Sequence, residues 1–173
     1  MVFVTSIRGP WKPDDGTISP VKMPNVPDLL QPSAEEDLAF VAHASGFQIY
    51  VCRTGTDGRP AWVLKAPQAQ LFDGKGNVVG SHFAGPTWRH NDGSEIVGKM
   101  FAKADAPDPA AIPWLLVKIT GQSGDGAFSR ITTIQRVNTV AGLPPAEPCR
   151  EANQEVEFKS EYTADYYFYA RRA

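Results

Sequence analysis

Apolar and polar positions alternate with a period of two along most of this chain, and the alternation becomes regular at Phe47. Phe47, Ile49 and Val51 interleave with Gln48, Tyr50 and Cys52. Successive side chains of an extended backbone point to opposite sides, so this pattern predicts a half-buried strand with one aliphatic face. Thr54-Gly-Thr-Asp-Gly58 has the composition of a turn, and Ala61-Trp-Val-Leu-Lys65 supplies the partner strand of a hairpin. Two similar units follow. Asp73-Gly-Lys-Gly-Asn-Val-Val-Gly80 comes after Leu71-Phe72, and Asp92-Gly-Ser-Glu-Ile-Val-Gly98 comes after Trp88. Asp-Gly marks a tight turn because glycine accepts positive φ without a steric penalty, so consecutive hairpins are expected across residues 69–104.

Beyond the Ala106-Pro-Asp-Pro109 loop, Trp114-Leu-Leu-Val-Lys-Ile119 is apolar at nearly every position. That suits a strand covered on both faces, with Lys118 needing a route to solvent. Phe128 to Val137 is rich in β-branched residues and predicts another strand. Glu155 and Glu157 alternate with Val156 and Phe158 in the last region. Tyr166–Tyr169 is expected to pair inside the sheet, because its aromatics would otherwise form an exposed patch.

One segment carries a helical signal. Ser33-Ala-Glu-Glu36 has capping-box spacing, with Ser45-Gly46 as its expected stop. Before it, Pro10, Pro13, Pro20, Pro24, Pro27 and Pro32 disfavour regular structure and predict an extended arm over residues 1–28, or a partly disordered lead-in. Trp11, Val21, Met23 or Leu29-Leu30 could pack that arm on a single domain spanning residues 29–173. The fold class is therefore mostly β: an antiparallel β-sandwich or jelly-roll-like barrel with a Pro-rich N-terminal arm. The pattern holds no amphipathic helix of normal length and no G-x-G-x-x-G or G-K-[ST] motif, which excludes Rossmann and P-loop chemistry.

Length and charge narrow the classes further. At 173 residues one domain is the default. A net charge of -2 lacks the basic excess of a nucleic-acid binder. No run approaches the roughly 20 apolar residues of a membrane span, and Met1–Pro10 does not read as a secretory leader. Cys52 and Cys149 fit no CxxC motif. They are read as a disulfide, which implies an oxidising compartment, as two buried free thiols, or as including a catalytic thiol.

Gly80-Ser-His-Phe-Ala-Gly-Pro-Thr-Trp88, Gly46-Phe-Gln-Ile-Tyr50-Val-Cys52 and Ala111-Ile-Pro-Trp-Leu-Leu116 form a specific set. Leu30-Gln31, Asp92-Gly-Ser94, Ile134-Gln-Arg136 and the Cys149 segment accompany them. Together they resemble the DUF3455 family of fungal and bacterial proteins, a domain of unknown function, from about Pro24 to Tyr169. The resemblance implies no activity. It does imply secretion, so an extracellular or periplasmic location is expected although no leader is visible.

Candidate chemistry centres on His82, Trp88, His90, Asp92 and Glu95. Two imidazoles and a carboxylate could bind zinc or copper, which makes His82, His90 and Asp92 a possible metal set, though their spacing is looser than H-x-H or H-E-x-x-H. Asp73, Asp92 and Glu95 are the carboxylates beside aromatics, but Asp73 and Asp92 each precede a turn glycine, where Asp bonds its own backbone. No G-x-S-x-G elbow supports a serine hydrolase. The preferred reading is a non-catalytic domain that binds a small molecule, a glycan or a surface partner, without a cofactor. Gln48, Tyr50, Trp62, His82, Trp88 and Asp92 would converge around the Gly-Pro-Thr-Trp bend. The alternatives are a metal-dependent or cofactor-free enzyme using His82 with Asp92 or His90, and a structural or cell-surface assembly protein. A monomer or homodimer is expected.

Overall fold

A computed structural model describes residues 22–173. Its strands are β1 (Glu36–Thr54), β2 (Pro60–Phe72), β3 (Val78–Phe83), β4 (Thr87–His90), β5 (Glu95–Ala104), β6 (Trp114–Ser123), β7 (Ile131–Ala141) and β8 (Glu157–Arg171). Each pairs antiparallel with the next in the chain, and β8 returns to pair with β1 along nearly its whole length. The mostly-β antiparallel class expected from the alternation is thus what the chain adopts, as one ring-like sheet in up-and-down order. The expected run of hairpins across residues 69–104 is present as β2 to β5. Both turns form, but in the first the positive φ falls at Gly76 rather than at Gly74 of the Asp-Gly pair. Asp73 Oδ1 accepts from the Lys75 and Asn77 amides, Asp92 Oδ1 accepts from the Ser94 amide, and Gly76 and Gly93 take positive φ.

The helical signal is overruled. Ser33 N–H does donate to Glu36 Oε1, half of a capping box, but the chain leaves that turn as β1. Nor does Ser45-Gly46 stop the element. At Gly46 a side chain would collide with the Gln68 carbonyl and with Ala69 across the ladder, so glycine lets β2 cross close by. The face assignment on β1 is also reversed. Gln48, Tyr50 and Cys52, the less apolar set, point into the ring and are buried, while Phe47 and Ile49 lie on its partly exposed outer side. A closed ring has crowded walls and a limited lumen, so its inner face takes Ala42, Ala44 and Gly46 where space is short.

Two clusters form the core. The inner one gathers Leu71, Trp88, Ile96, Val117, Ile134 and Phe168 with their neighbours. Phe128, expected on a strand, instead lies in the turn before β7. It seals one end of the lumen, stacking on Phe168 at 4.8 Å and meeting Phe40 and His90 edge-on. The outer cluster packs Val26 and Leu30 of the N-terminal strap on Leu116, Val137, Tyr167 and Tyr169. Four consecutive buried residues of β8, Tyr166–Tyr169, therefore serve both layers, as their aromatic character required. Leu30 is the strap's anchor, whereas Met23 and Leu29 stay exposed. The expected arm over residues 1–28 lies largely outside the described residues, Trp11 and Val21 included.

Cys52 of β1 and Cys149 in the β7–β8 crossing form a disulfide, with Cα atoms 5.4 Å apart. Of the three readings open for these thiols, the paired one holds. It is consistent with an oxidising location outside the cytoplasm.

Candidate ligand-binding cavity

The end of the ring opposite Phe128 is not filled. A cavity of about 320 Å³ lies there, and all eight strands contribute to its wall, from Gln48 of β1 to Tyr166 of β8. Its opening follows from unequal strand lengths. β3 and β4 are short and turn at the cis Gly85–Pro86 peptide. Their neighbours run on past that turn. β2 pairs with β3 only from Ala69 onward, and β5 pairs with β4 only as far as Val97. The remaining edges of β2 and β5 face the gap, and Leu64 and Met100, each half exposed, stand at its rim. Pro67 on the free β2 edge has no N–H to offer a further strand, which keeps that edge from recruiting one.

Three of the six residues expected to converge do so: Gln48, His82 and Trp88 line the cavity. His82 and Trp88 are cross-strand partners on β3 and β4, and their rings stack at 4.3 Å and 18°. Tyr166 meets both edge-on, at 5.2 and 5.8 Å. Gly98 behind them makes room, because a side chain there would overlap Val117 and press on Trp88. His82 Nδ1 donates to the Thr87 carbonyl at 2.8 Å, which leaves Nε2 as a bare acceptor. Burial above all pushes its pKa down to about 3, with the charge of Arg136 acting in the same direction, so the ring is neutral near pH 7.

The other three do not join. Tyr50 points inward but is engaged elsewhere, donating to the Gly142 carbonyl at 2.6 Å. Trp62 packs outside the ring against Phe158, its Nε1 donating to the Glu147 carbonyl. Asp92 sits in the β4–β5 turn, at the far end of β4 from the cavity, and accepts from Ser94 Oγ and the Ala127 amide. The Ser94 hydroxyl and these amides hold its carboxyl well below the usual carboxylate range. His90 is 3.0 Å from Asp92, but His82 is separated from both by Trp88. The possible metal set His82, His90 and Asp92 therefore does not assemble, and no other three His, Cys, Asp or Glu side chains converge among the described residues.

Two residues that line the cavity hold a buried polar atom without a hydrogen-bond partner among the described residues, Gln48 at Oε1 and Trp88 at Nε1. Arg136 of β7 also lines it, between its cross-strand neighbours Leu115 and Tyr166. Arg136 lies outside the set of residues expected to form the site. Its signal was a lone cation two positions from Ile134 in an otherwise uncharged strand. A second recess, about 310 Å³, lies outside the ring around Glu36, Lys118 and Thr132, whose side chains are already paired with one another. His43 and the buried Asp165 form a cross-strand pair at 2.8 Å on the outer face, which no local pattern signalled.

A family model described as Protein of unknown function (DUF3455) matches residues 32–170. No curated protein and no solved structure matches the chain significantly.

Proposed function

This chain belongs to the DUF3455 family, and we propose that it holds a small, largely apolar molecule in the lumen of its strand ring without transforming it. One observation carries the reading: Gln48 Oε1 and Trp88 Nε1 are both buried, both unpartnered and both on residues that line one cavity. Leaving a buried donor or acceptor unsatisfied costs about 1–3 kcal/mol each, and native proteins rarely tolerate it without a reason. An acceptor and a donor on residues around the same space are what a ligand with one polar end would satisfy. Most of the rest of the wall, including Leu64, Pro67, Pro86, Met100, Leu115 and Val117, is apolar, with Arg136 and Lys65 as its two cations. A glycan needs many hydrogen-bonding groups, so this lining favours an apolar body over a sugar.

Holding is favoured over turnover. The cavity histidine is neutral, and no carboxylate lines the space to pair with it as acid or base. The disulfide and the family resemblance support a place of action outside the cytoplasm, in an extracellular or periplasmic space.

The test is saturation-transfer NMR with neutral fragments of benzene to indole size, on the wild type and on the Gln48→Met and Trp88→Phe variants. Fragments are expected to bind the wild type and to lose affinity in both variants. If no fragment binds, or if binding ignores both substitutions, the lumen is not the site.

A further inference from the structure

We infer that the lumen selects an organic anion, an apolar molecule carrying one carboxylate that Arg136 grips. This rests on the reading of the cavity as a binding site and names the chemistry it selects.

Arg136 is nine-tenths buried. A guanidinium cannot shed its proton in a protein, so its charge persists inside the ring. Its Nε and Nη2 both donate to the Pro113 carbonyl, at 3.2 and 2.7 Å. That oxygen is neutral and leaves the charge unanswered. No ion pair among the described residues includes Arg136. The other cation on the wall, Lys65, is paired with Glu157. No Asp or Glu lines the cavity, and His82 is neutral there. The space is therefore positive with nothing of opposite sign in it.

A buried cation without a counter-ion is costly, and an anion entering from solvent would answer it. The Pro113 carbonyl occupies the Nε–Nη2 edge of the guanidinium. The neutral Tyr166 hydroxyl is a further hydrogen-bond neighbour of the guanidinium, and the N–H groups of the Nη1–Nη2 edge match the two oxygens of a carboxylate. Trp88, which lines the same space, holds a further unpartnered donor at Nε1. An amide such as Gln48 offers N–H as well as oxygen, and the two ends are exchangeable by a flip. A single guanidinium suits one negative charge, and the apolar wall suits an aliphatic or aromatic tail reaching toward Leu64 and Met100 at the rim. The volume sits at the low end for ligand sites, which points to a small acid rather than a long-chain one.

The experiment is isothermal titration of the full chain with two matched probe pairs, 3-phenylpropanoate against 3-phenylpropanamide and hexanoate against hexanamide. The acids are expected to bind at least tenfold tighter than the amides. The Arg136→Gln variant should erase that preference, and Arg136→Lys should keep part of it. Amides binding as tightly as acids would overturn the anion assignment and leave the cavity reading standing. An acid preference that survives Arg136→Gln would overturn the role of Arg136. If neither acids nor amides bind while the neutral fragments do, the anion class fails alone. If no probe of any kind binds, both readings fail. Should Arg136→Gln not fold, side-chain N–H shifts of Gln48 and Trp88 in the wild type decide the matter, since the acids must move both.

Discussion

At the scale of single residues, the cavity sets stability against binding. Gln48 keeps an amide oxygen buried without a partner, so replacing it with methionine, similar in length and apolar, removes a desolvation cost of about 1–2 kcal/mol. The Gln48→Met protein is expected to unfold at higher urea concentration than the wild type while binding fragments more weakly. A lower midpoint would mean that the amide is satisfied in solution. His82 gives a pH dependence. Folded, it stays neutral down to about pH 3, whereas unfolded it takes a proton near its ordinary value of 6.5. The unfolded state binds more protons between those values, so this contribution is fully present above about pH 6.5 and is lost as pH falls toward 3. The carboxylates held low, Glu36, Asp37, Asp73 and Asp92, act in the same direction but only once pH drops into the ordinary carboxylate range near 4. The window between pH 6.5 and 5 therefore isolates the histidine. There the wild type should lose about 1.5 kcal/mol and a His82→Phe variant less than half of that, measured by urea unfolding at the two pH values.

Among the elements, β1 carries the most. It spans 19 residues and pairs with β2 on one side and β8 on the other. Its length depends on Gly46, where the ladder to β2 leaves no room for a side chain. Its far end is tied to the long β7–β8 crossing by the disulfide. Beside it, the Cys52 amide donates to the Val156 carbonyl and the Glu155 amide to the Cys52 carbonyl. The cysteines are 97 residues apart in the chain, and closing so long a loop in the unfolded state is worth up to about 4–5 kcal/mol in the chain-entropy account. A Cys52→Ala/Cys149→Ala double variant is expected to fold and to lose about 2–5 kcal/mol in denaturant unfolding. Unchanged stability would show that the bridge does not form.

For the molecule as a whole, the ring closes without help from the strap, but its outer face does not become dry without it. Leu30 is fully buried over Tyr167 and Tyr169. Its carbonyl accepts from Gln135 Nε2 at 2.8 Å, while Tyr169 donates to Gln135 Oε1 at 2.6 Å. A Leu30→Ala variant removes the anchor and should cost about 2–4 kcal/mol, read as a lowered thermal midpoint and a gain in binding of an apolar dye to the bared aromatics. A loss below about 1 kcal/mol would mean that the strap merely rests on the ring.

The strands from β2 to β5 and their turns were legible in residue order, because Asp-Gly turns and period-two alternation act over a few residues. The burial of Tyr166–Tyr169 was legible too, since four aromatics in a row cannot be left in water. Local pattern misled where the other side of the ring decided. Ser33-Ala-Glu-Glu36 satisfies a capping contact, yet two long ladders outweigh a single turn. The Phe47 face looked like core, yet closure turned the Gln48 face inward. Half of the expected site converged, because Gln48, His82 and Trp88 share the inner face near one end of the lumen. Tyr50 also faces inward but is held by Gly142, Trp62 is outside, and Asp92 belongs to the opposite end. Alternation reports which residues share a side of one strand. It carries no information on which side becomes the inside, nor on which heights along eight strands coincide. That Arg136 stands without an ion-pair partner on the same cavity as Trp88 follows from ring closure and register alone, and both are properties of the tertiary structure.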